Sequence, residues 1–305
     1  MRYLVVVLLS CIPFNIINAQ DSIRFPHVRL DEVVIRSFPD GFGTDDFIDI
    51  IQNDTTFYKA FKSLHLISYN GIHDIKVLHK KKNEIIASYK SETKQVYRNG
   101  CRNMYVLEEE VNGDFFKRNG DYKYFTATLY DQLFFTKEER CGENNIVQGS
   151  LENDLRGKNR IEKSKVQLKH LIFNPGKPIA GLPGIGKKIG IFEPDIAEEY
   201  DFSIELVQKH GEWCYEFSAK PKENSYKKMV IKSWKTWLRK SDFTILSRDY
   251  YLSYNMGVYD FDVKIYVDLK EHRGVLLPAY ISYDGNWYIV SQGRERVKFE
   301  GRFYY

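Results

Sequence analysis

The chain is predicted to be an α+β protein built on one large antiparallel β-sheet, curved or closed, with a few N-terminal and central helices packed against it. In residues 258–267, Tyr259, Phe261, Val263, Ile265 and Val267 fall on one side of a period-two pattern and Asp260, Asp262 and Lys264 on the other. That is the pattern of a half-buried antiparallel strand. Similar segments fill the last hundred residues, and the chain is rich in sheet-favouring aromatics, with 22 Tyr and 20 Phe.

The N-terminus has a short positive start at Arg2, an apolar centre and a polar switch at Asp21, so residues 1–20 read as a secretory signal peptide cut near Ala19 or Gln20. The apolar run is too short, and too interrupted by Ser10, Pro13 and Asn15, for a membrane anchor. A rival reading takes Leu8-Leu9-Ser10-Cys11 as a lipobox with lipidation at Cys11. Residues 21–305 are then expected to form a single domain, with short helices and hairpins over 21–160 and a meander over 199–305.

Leu30–Ile35 reads as a first strand. Thr44 or Asp45 is placed to cap a helix carrying Phe47, Ile48, Ile50 and Ile51, and Asp54-Thr55 a second one in which Phe57, Ala60, Phe61 and Leu64 recur at helical spacing. Strands are expected at 72–79, 84–90, 94–99 and 103–111, separated by Asn70-Gly71, Asn99-Gly100 and Asn112-Gly113 as turn formers. Residues 124–135 favour a helix, 141–163 a loop or flap, and Val166 to Ile172 a further helix. From 199 a meander of about eight strands follows, at 199–208, 212–219, 227–235, 243–254, 258–268, 274–283, 286–292 and 295–304. Gly211, Gly257, Gly274, Asp284-Gly285 and Gly293 punctuate it.

Loss of residues 1–20 removes Arg2 and no acid, leaving 44 basic against 41 acidic side chains, a net charge of +3. That balance excludes a nucleic-acid footprint, and Lys80-Lys81-Lys82 and Lys187-Lys188 read as solvated loops. Cys101, Cys141 and Cys214 remain in a compartment that permits disulfides. Cys101 and Cys141, both in polar contexts, are the preferred pair, and Cys214 reads as a buried small hydrophobe.

Catalytic signals are weak. Gly181–Lys188 lacks the hydroxyl of a phosphate loop, and the seven histidines have no metal-site spacing. No cofactor or metal is expected. Asp260 with Asp262, or Glu108-Glu109-Glu110, supply paired carboxylates for an alternative reading as a secreted glycan hydrolase, with Trp213, Trp234, Trp237 and Trp287 as stacking platforms. The terminal aromatics at Tyr304 and Tyr305 raise a third reading, a small outer-membrane barrel, against which Lys232, Lys235 and Arg248 put charge on the side that would face lipid.

From Trp234 onward, WKTWLRKSDFTILSRDYYLSYN, YDFDVKIYVDL and LLPAYISYDGNW resemble the periplasmic lipoprotein-carrier superfamily of LolA, LolB and the RseB sensor domain. The match is carried by Trp237–Lys240, Ile245–Tyr254 and Gly274–Ile281 with Pro278. The resemblance implies a deep, open half-barrel with those helices in or over its concave face as a lid, enclosing an apolar cavity for acyl chains. The leading expectation is a non-enzymatic envelope protein that binds a lipid, a lipoprotein acyl chain or another apolar ligand, with peripheral membrane contact. Tyr250, Leu252 and Tyr254 on one strand and Tyr259, Phe261, Val263, Ile265 and Val267 on the next are expected to line the cavity.

Overall fold

The computed structural model describes residues 43–147, 176, 186–255, 259–289 and 293–305. The export signal, Cys11, the strand at 30–35, the helix at 166–172, residues 181–185 and Gly257 lie outside them.

Two helices open the described chain, α1 (Thr44–Asn53) and α2 (Thr56–Ser63). Gly43, rather than Thr44 or Asp45, is the N-cap of α1; its amide donates to the Asp46 carboxylate at 2.6 Å. Three strands follow, β1 (Tyr69–Leu78), β2 (Ile85–Arg98) and β3 (Cys101–Gly113), then α3 (Phe125–Phe134) and the short β4 (Arg140–Cys141). After α4 (Pro194–Ala197) the chain forms β5 (Tyr200–Lys209), β6 (Glu212–Pro221), β7 (Ile231–Arg239), β8 (Ile245–Asn255), β9 (Tyr259–His272), β10 (Val275–Ile289) and β11 (Gly293–Tyr304). All join one open sheet in the order β4-β3-β2-β1-β11-β10-β9-β8-β7-β6-β5, with every pairing antiparallel. Because β11 closes back onto β1, the N-terminal hairpins and the C-terminal meander are two halves of one curved wall.

Three expected turns lie inside or at the end of strands. Segments 84–90 and 94–99 are one strand because Ser91, Thr93 and Gln95 continue the inward alternation as buried polar residues, which an apolar pattern does not register. Asn70-Gly71 sits in β1, where a Cβ on Gly71 would meet the His73 ring at 2.5 Å. Asp284-Gly285 likewise sits in β10, with the Tyr283 ring leaning over Gly285, so 274–283 and 286–292 fuse and the meander has seven strands. In both places glycine permits the close approach of an aromatic ring two residues away on the same face. Asn112-Gly113 ends β3 without forming a tight hairpin. Asn99-Gly100, with φ of 54° and 77°, is a true hairpin turn.

The inner face is organised in rows that cross the strands. One row runs Phe202, Ala219, Trp234, Tyr250, Ile265, Tyr283, Phe299, Ile75 and Tyr89, each the register partner of the next. The helices cover this wall. Phe47 of α1 meets Tyr215 edge-on at 5.2 Å between ring centroids, and Tyr130 of α3 meets Phe299 at 4.6 Å. The next row, which includes Thr236, Arg248, Val267, Ile281, Gly301, His73 and Ser91, carries the polar contacts that fix the helices.

Arg248, 2 % exposed, pairs with Asp54 at 3.3 Å and stacks over the Phe57 ring at 4.4 Å. The Asp54 carboxylate also accepts the backbone amides of Thr56 and Phe57, so it caps α2 and ties it to β8. On α3, the Glu295 carboxylate of β11 accepts the amides of Phe125 and Thr126 at 2.7 and 3.1 Å. A disulfide between Cys101 and Cys141 fastens β4 to the edge of β3, while Cys214 is free and buried.

Removing one member of a buried ion pair leaves the other charge without compensation. Arg248→Met is therefore expected to lower unfolding stability by about 3–5 kcal/mol in urea titration, and the Arg248→Met/Asp54→Asn double variant to recover most of that loss. Equal stability of the Arg248→Met single variant and the parent would overturn the assignment.

Candidate functional site

Seven of the eight residues expected to line a cavity share the inner face of β8 and β9 but divide by depth. Tyr250 pairs with Ile265, Leu252 with Val263 and Tyr254 with Phe261; Val267 pairs with Arg248. Tyr250, Leu252, Ile265 and Val267 are buried in the common core. Tyr254, Phe261 and Val263 are half-buried and pack against that core toward one end of the sheet. Tyr259 belongs to β9 at the same end. The deep part of the wall is covered by helices, and among the described residues the end beyond it is half-buried.

Several elements frame that end. Phe261 pairs across the sheet with Trp287, whose indole donates to Thr126 Oγ1 at 3.0 Å and whose ring meets Phe125 of α3 at 5.6 Å. Val263 pairs with Gly285, where the Tyr283 ring lies flat on Phe299 at 4.8 Å. On the other side the Lys188 ammonium donates to the Tyr254 hydroxyl at 3.1 Å, and Ile189, Ile191 and Phe192 after it are buried. Apart from Lys188, the described frame is aliphatic and aromatic, and the Tyr254 hydroxyl and Trp287 indole are already bonded. Such a lining favours apolar matter.

Two shallow surface pockets, of about 240 and 430 Å³, lie elsewhere. One is bounded by Ile72, Leu107 and Tyr304, the other by Trp213, Arg239 and Lys240; none of the eight residues lines either.

The carboxylates of the hydrolase reading are placed otherwise than that chemistry requires. Asp260 pairs with Arg294 at 2.7 Å, and Asp262 accepts the Tyr251 hydroxyl at 2.8 Å. They project from the same face of one strand, so they do not oppose one another across a cleft. Glu109 accepts the Tyr89 hydroxyl at 3.2 Å, and Glu108 and Glu110 are exposed on the edge strand. Of the tryptophans, Trp234 is buried, Trp287 is in the α3 contact, and Trp237 lies beneath the Lys209 ammonium at 4.3 Å. The barrel reading is corrected by the open sheet, and Arg248, counted among its outward charges, points inward to Asp54.

Two buried polar networks have no counterpart in the sequence reading. His73 Nδ1 lies 2.7 Å from the Tyr130 hydroxyl and Nε2 2.9 Å from Thr93 Oγ1, so β1, β2 and α3 meet on one imidazole. Burial depresses its pKa from the ordinary value near 6.5 to about 3, and the ring is neutral at physiological pH. Arg102 donates to Glu143 at 3.2 Å and to Thr136, and Glu143 also meets His65 at 3.3 Å. The bonded partners are separated by 20 to 78 positions and belong to no motif, so no local signal marks them.

No family model and no curated protein matches the chain. Among solved structures it is similar to a putative outer membrane lipoprotein-sorting protein domain from Vibrio parahaemolyticus, at 10 % identity and TM-score 0.24, covering 81 % of this chain and 90 % of that one. It is similar also to a DUF1329 family protein from Desulfovibrio piger, at 11 % identity and TM-score 0.23, covering 82 % and 91 %. A LolA superfamily protein from Nitrosomonas europaea matches at 10 % identity and TM-score 0.21, covering 80 % and 90 %.

The His73 network makes stability depend on pH with a definite sign. The unfolded chain binds a proton at His73 near pH 6.5 and the folded chain only near pH 3, so stability is full above pH 6.5 and falls as pH drops through this window. Urea titrations at pH 7 and pH 5 should differ by roughly 1–2 kcal/mol more for the parent than for His73→Gln. An identical difference in the two proteins would overturn this assignment.

Proposed function

We propose that the protein is a non-enzymatic carrier of the cell envelope that holds a lipid, a lipoprotein acyl chain or a similar apolar ligand against the inner face of its half-barrel. The carrying observation is the graded inner wall of β8 and β9. Tyr250, Leu252, Ile265 and Val267 are buried, and Tyr254, Phe261 and Val263 continue the same apolar surface to the half-exposed end. An acyl chain laid along that continuation meets carbon on the sheet side and the start of α3 on the other. Each methylene buried there contributes about 0.8 kcal/mol.

The ligand enters from the end that holds Tyr254 and Phe261, and its polar head stays outside among the loops. Longer chains reach deeper by displacing part of the helical layer. The signal peptide reading places this activity outside the cytoplasm, with cleavage near Ala19 or Gln20, and a carrier of this kind takes up and delivers its cargo at a membrane.

Native mass spectrometry of protein purified without detergent is expected to show a bound apolar mass, and the delipidated protein to take up a fluorescent fatty acid. Val263→Asp, which sets a carboxylate in the wall, should weaken uptake by about tenfold or more, while Asp262→Asn on the outer face leaves it unchanged. Absence of both bound mass and uptake sinks the proposal, as does equal uptake by the Val263→Asp variant with an intact circular dichroism spectrum.

A further inference from the structure

Because neighbouring strands run in opposite directions, the β1–β2 turn and the β6–β7 connection emerge at the same end of the sheet, the end where Tyr254 and Phe261 are half-buried. Both tips combine exposed lysines with exposed apolar side chains. In the first, Lys80, Lys81 and Lys82 precede Ile85 and Ile86, which are 56 % and 43 % exposed. In the second, Tyr226, 44 % exposed, is followed by exposed Lys227 and Lys228. Over 79–86 and 222–230 six lysines stand against two acids, Glu84 and Glu223, so each tip is locally basic.

These tips are held in place. Arg296, at the start of β11, donates to the carbonyls of His79 and Lys82 at 3.2 and 2.8 Å and to Asn83 Oδ1 at 2.7 Å. His79 Nδ1 accepts the amides of Lys81 and Lys82, and the His79 amide closes the turn on the Glu84 carbonyl at 2.8 Å. In the second tip the Lys232 ammonium donates to the carbonyls of Tyr226 and Met229. Lys80 and Lys81 are thus exposed on a fixed frame, beside two isoleucines that gain nothing from facing water.

The opposite end differs. There Arg239 is neutralised by Glu212, Asp242 and Glu271 within 3.4 Å, the β5–β6 and β9–β10 turns carry charges of both signs, and the β2–β3 turn carries Arg98.

We propose that the end formed by the β1–β2 turn and the β6–β7 connection is a docking surface for an anionic lipid bilayer. The lysines meet lipid phosphates, and Ile85, Ile86 and Tyr226 enter the headgroup layer, where apolar and aromatic groups are favoured. The docked end is the one at which Tyr254, Phe261 and Val263 are half-buried. The inference stands on the charge and exposure of the tips and is independent of what the wall binds.

Co-sedimentation of the purified protein with phosphatidylcholine vesicles, with and without phosphatidylglycerol, tests it. Binding is expected only when phosphatidylglycerol is present, and it should weaken as salt rises. Lys80→Glu/Lys81→Glu/Lys82→Glu should reduce partitioning by about tenfold or more, and Ile85→Ser/Ile86→Ser by about fivefold, with urea midpoints and fatty-acid uptake retained.

Equal binding to both vesicle types, no binding to either, or insensitivity to both variants overturns the proposal. So does binding to soluble polyglutamate that matches the vesicles and ignores Ile85 and Ile86, since it would assign the tips to an acidic polypeptide. Vesicle binding without fatty-acid uptake refutes the carrier reading alone, and uptake without vesicle binding refutes the docking surface alone.

Discussion

The carboxylate of Asp54 does two things at once: it caps α2, and it meets Arg248 on a wall that is otherwise largely apolar. Arg248, 2 % exposed, is compensated there by that carboxylate, so the pair ties the start of α2 to β8. Most of the free energy of covering the wall comes from the aromatic and aliphatic surface around it. That term is non-directional and would accept a helix in many positions. The ion pair, the Glu295 cap of α3 and the His73–Tyr130 contact select one of them.

The same anchors bound the part of the wall that is only half-buried among the described residues. α3 starts at Glu295 and Trp287, and from there it covers the sheet toward Phe303. Gly301 lets Tyr130 approach the sheet, since a Cβ there would sit 2.6 Å from its hydroxyl. With α2 held at β8 and α3 at β11, the wall beyond Leu252 and Ile265 is only partly covered. The half-exposed stretch of Tyr254, Phe261 and Val263 is thus a consequence of where polar contacts place the helices.

Much of the sheet was legible from alternation, and the misreadings share a cause. Ser91 and Thr93 look like a break in an apolar pattern but are inward residues of β2, with Thr93 serving the His73 ring. Asn70-Gly71 and Asp284-Gly285 look like turns but are places where His73 and Tyr283 lean over a glycine of their own strand. The sequence shows a glycine in each case. What fills the space above it depends on ring orientation, which is set by α3 and β11.

Taken by itself, the sequence determined the sheet, its turns at Asn99-Gly100 and Gly274, the helix at Phe125–Phe134 and the inward side of β8 and β9, because each follows from contacts between residues near in the chain. Only the tertiary structure decided which inward residues are core and which remain open, because the deciding contacts are distant. Asp54 reaches Arg248 across 194 positions and Thr126 reaches Glu295 across 169. No periodicity encodes such pairs, since a period reports a face and not the element that covers it.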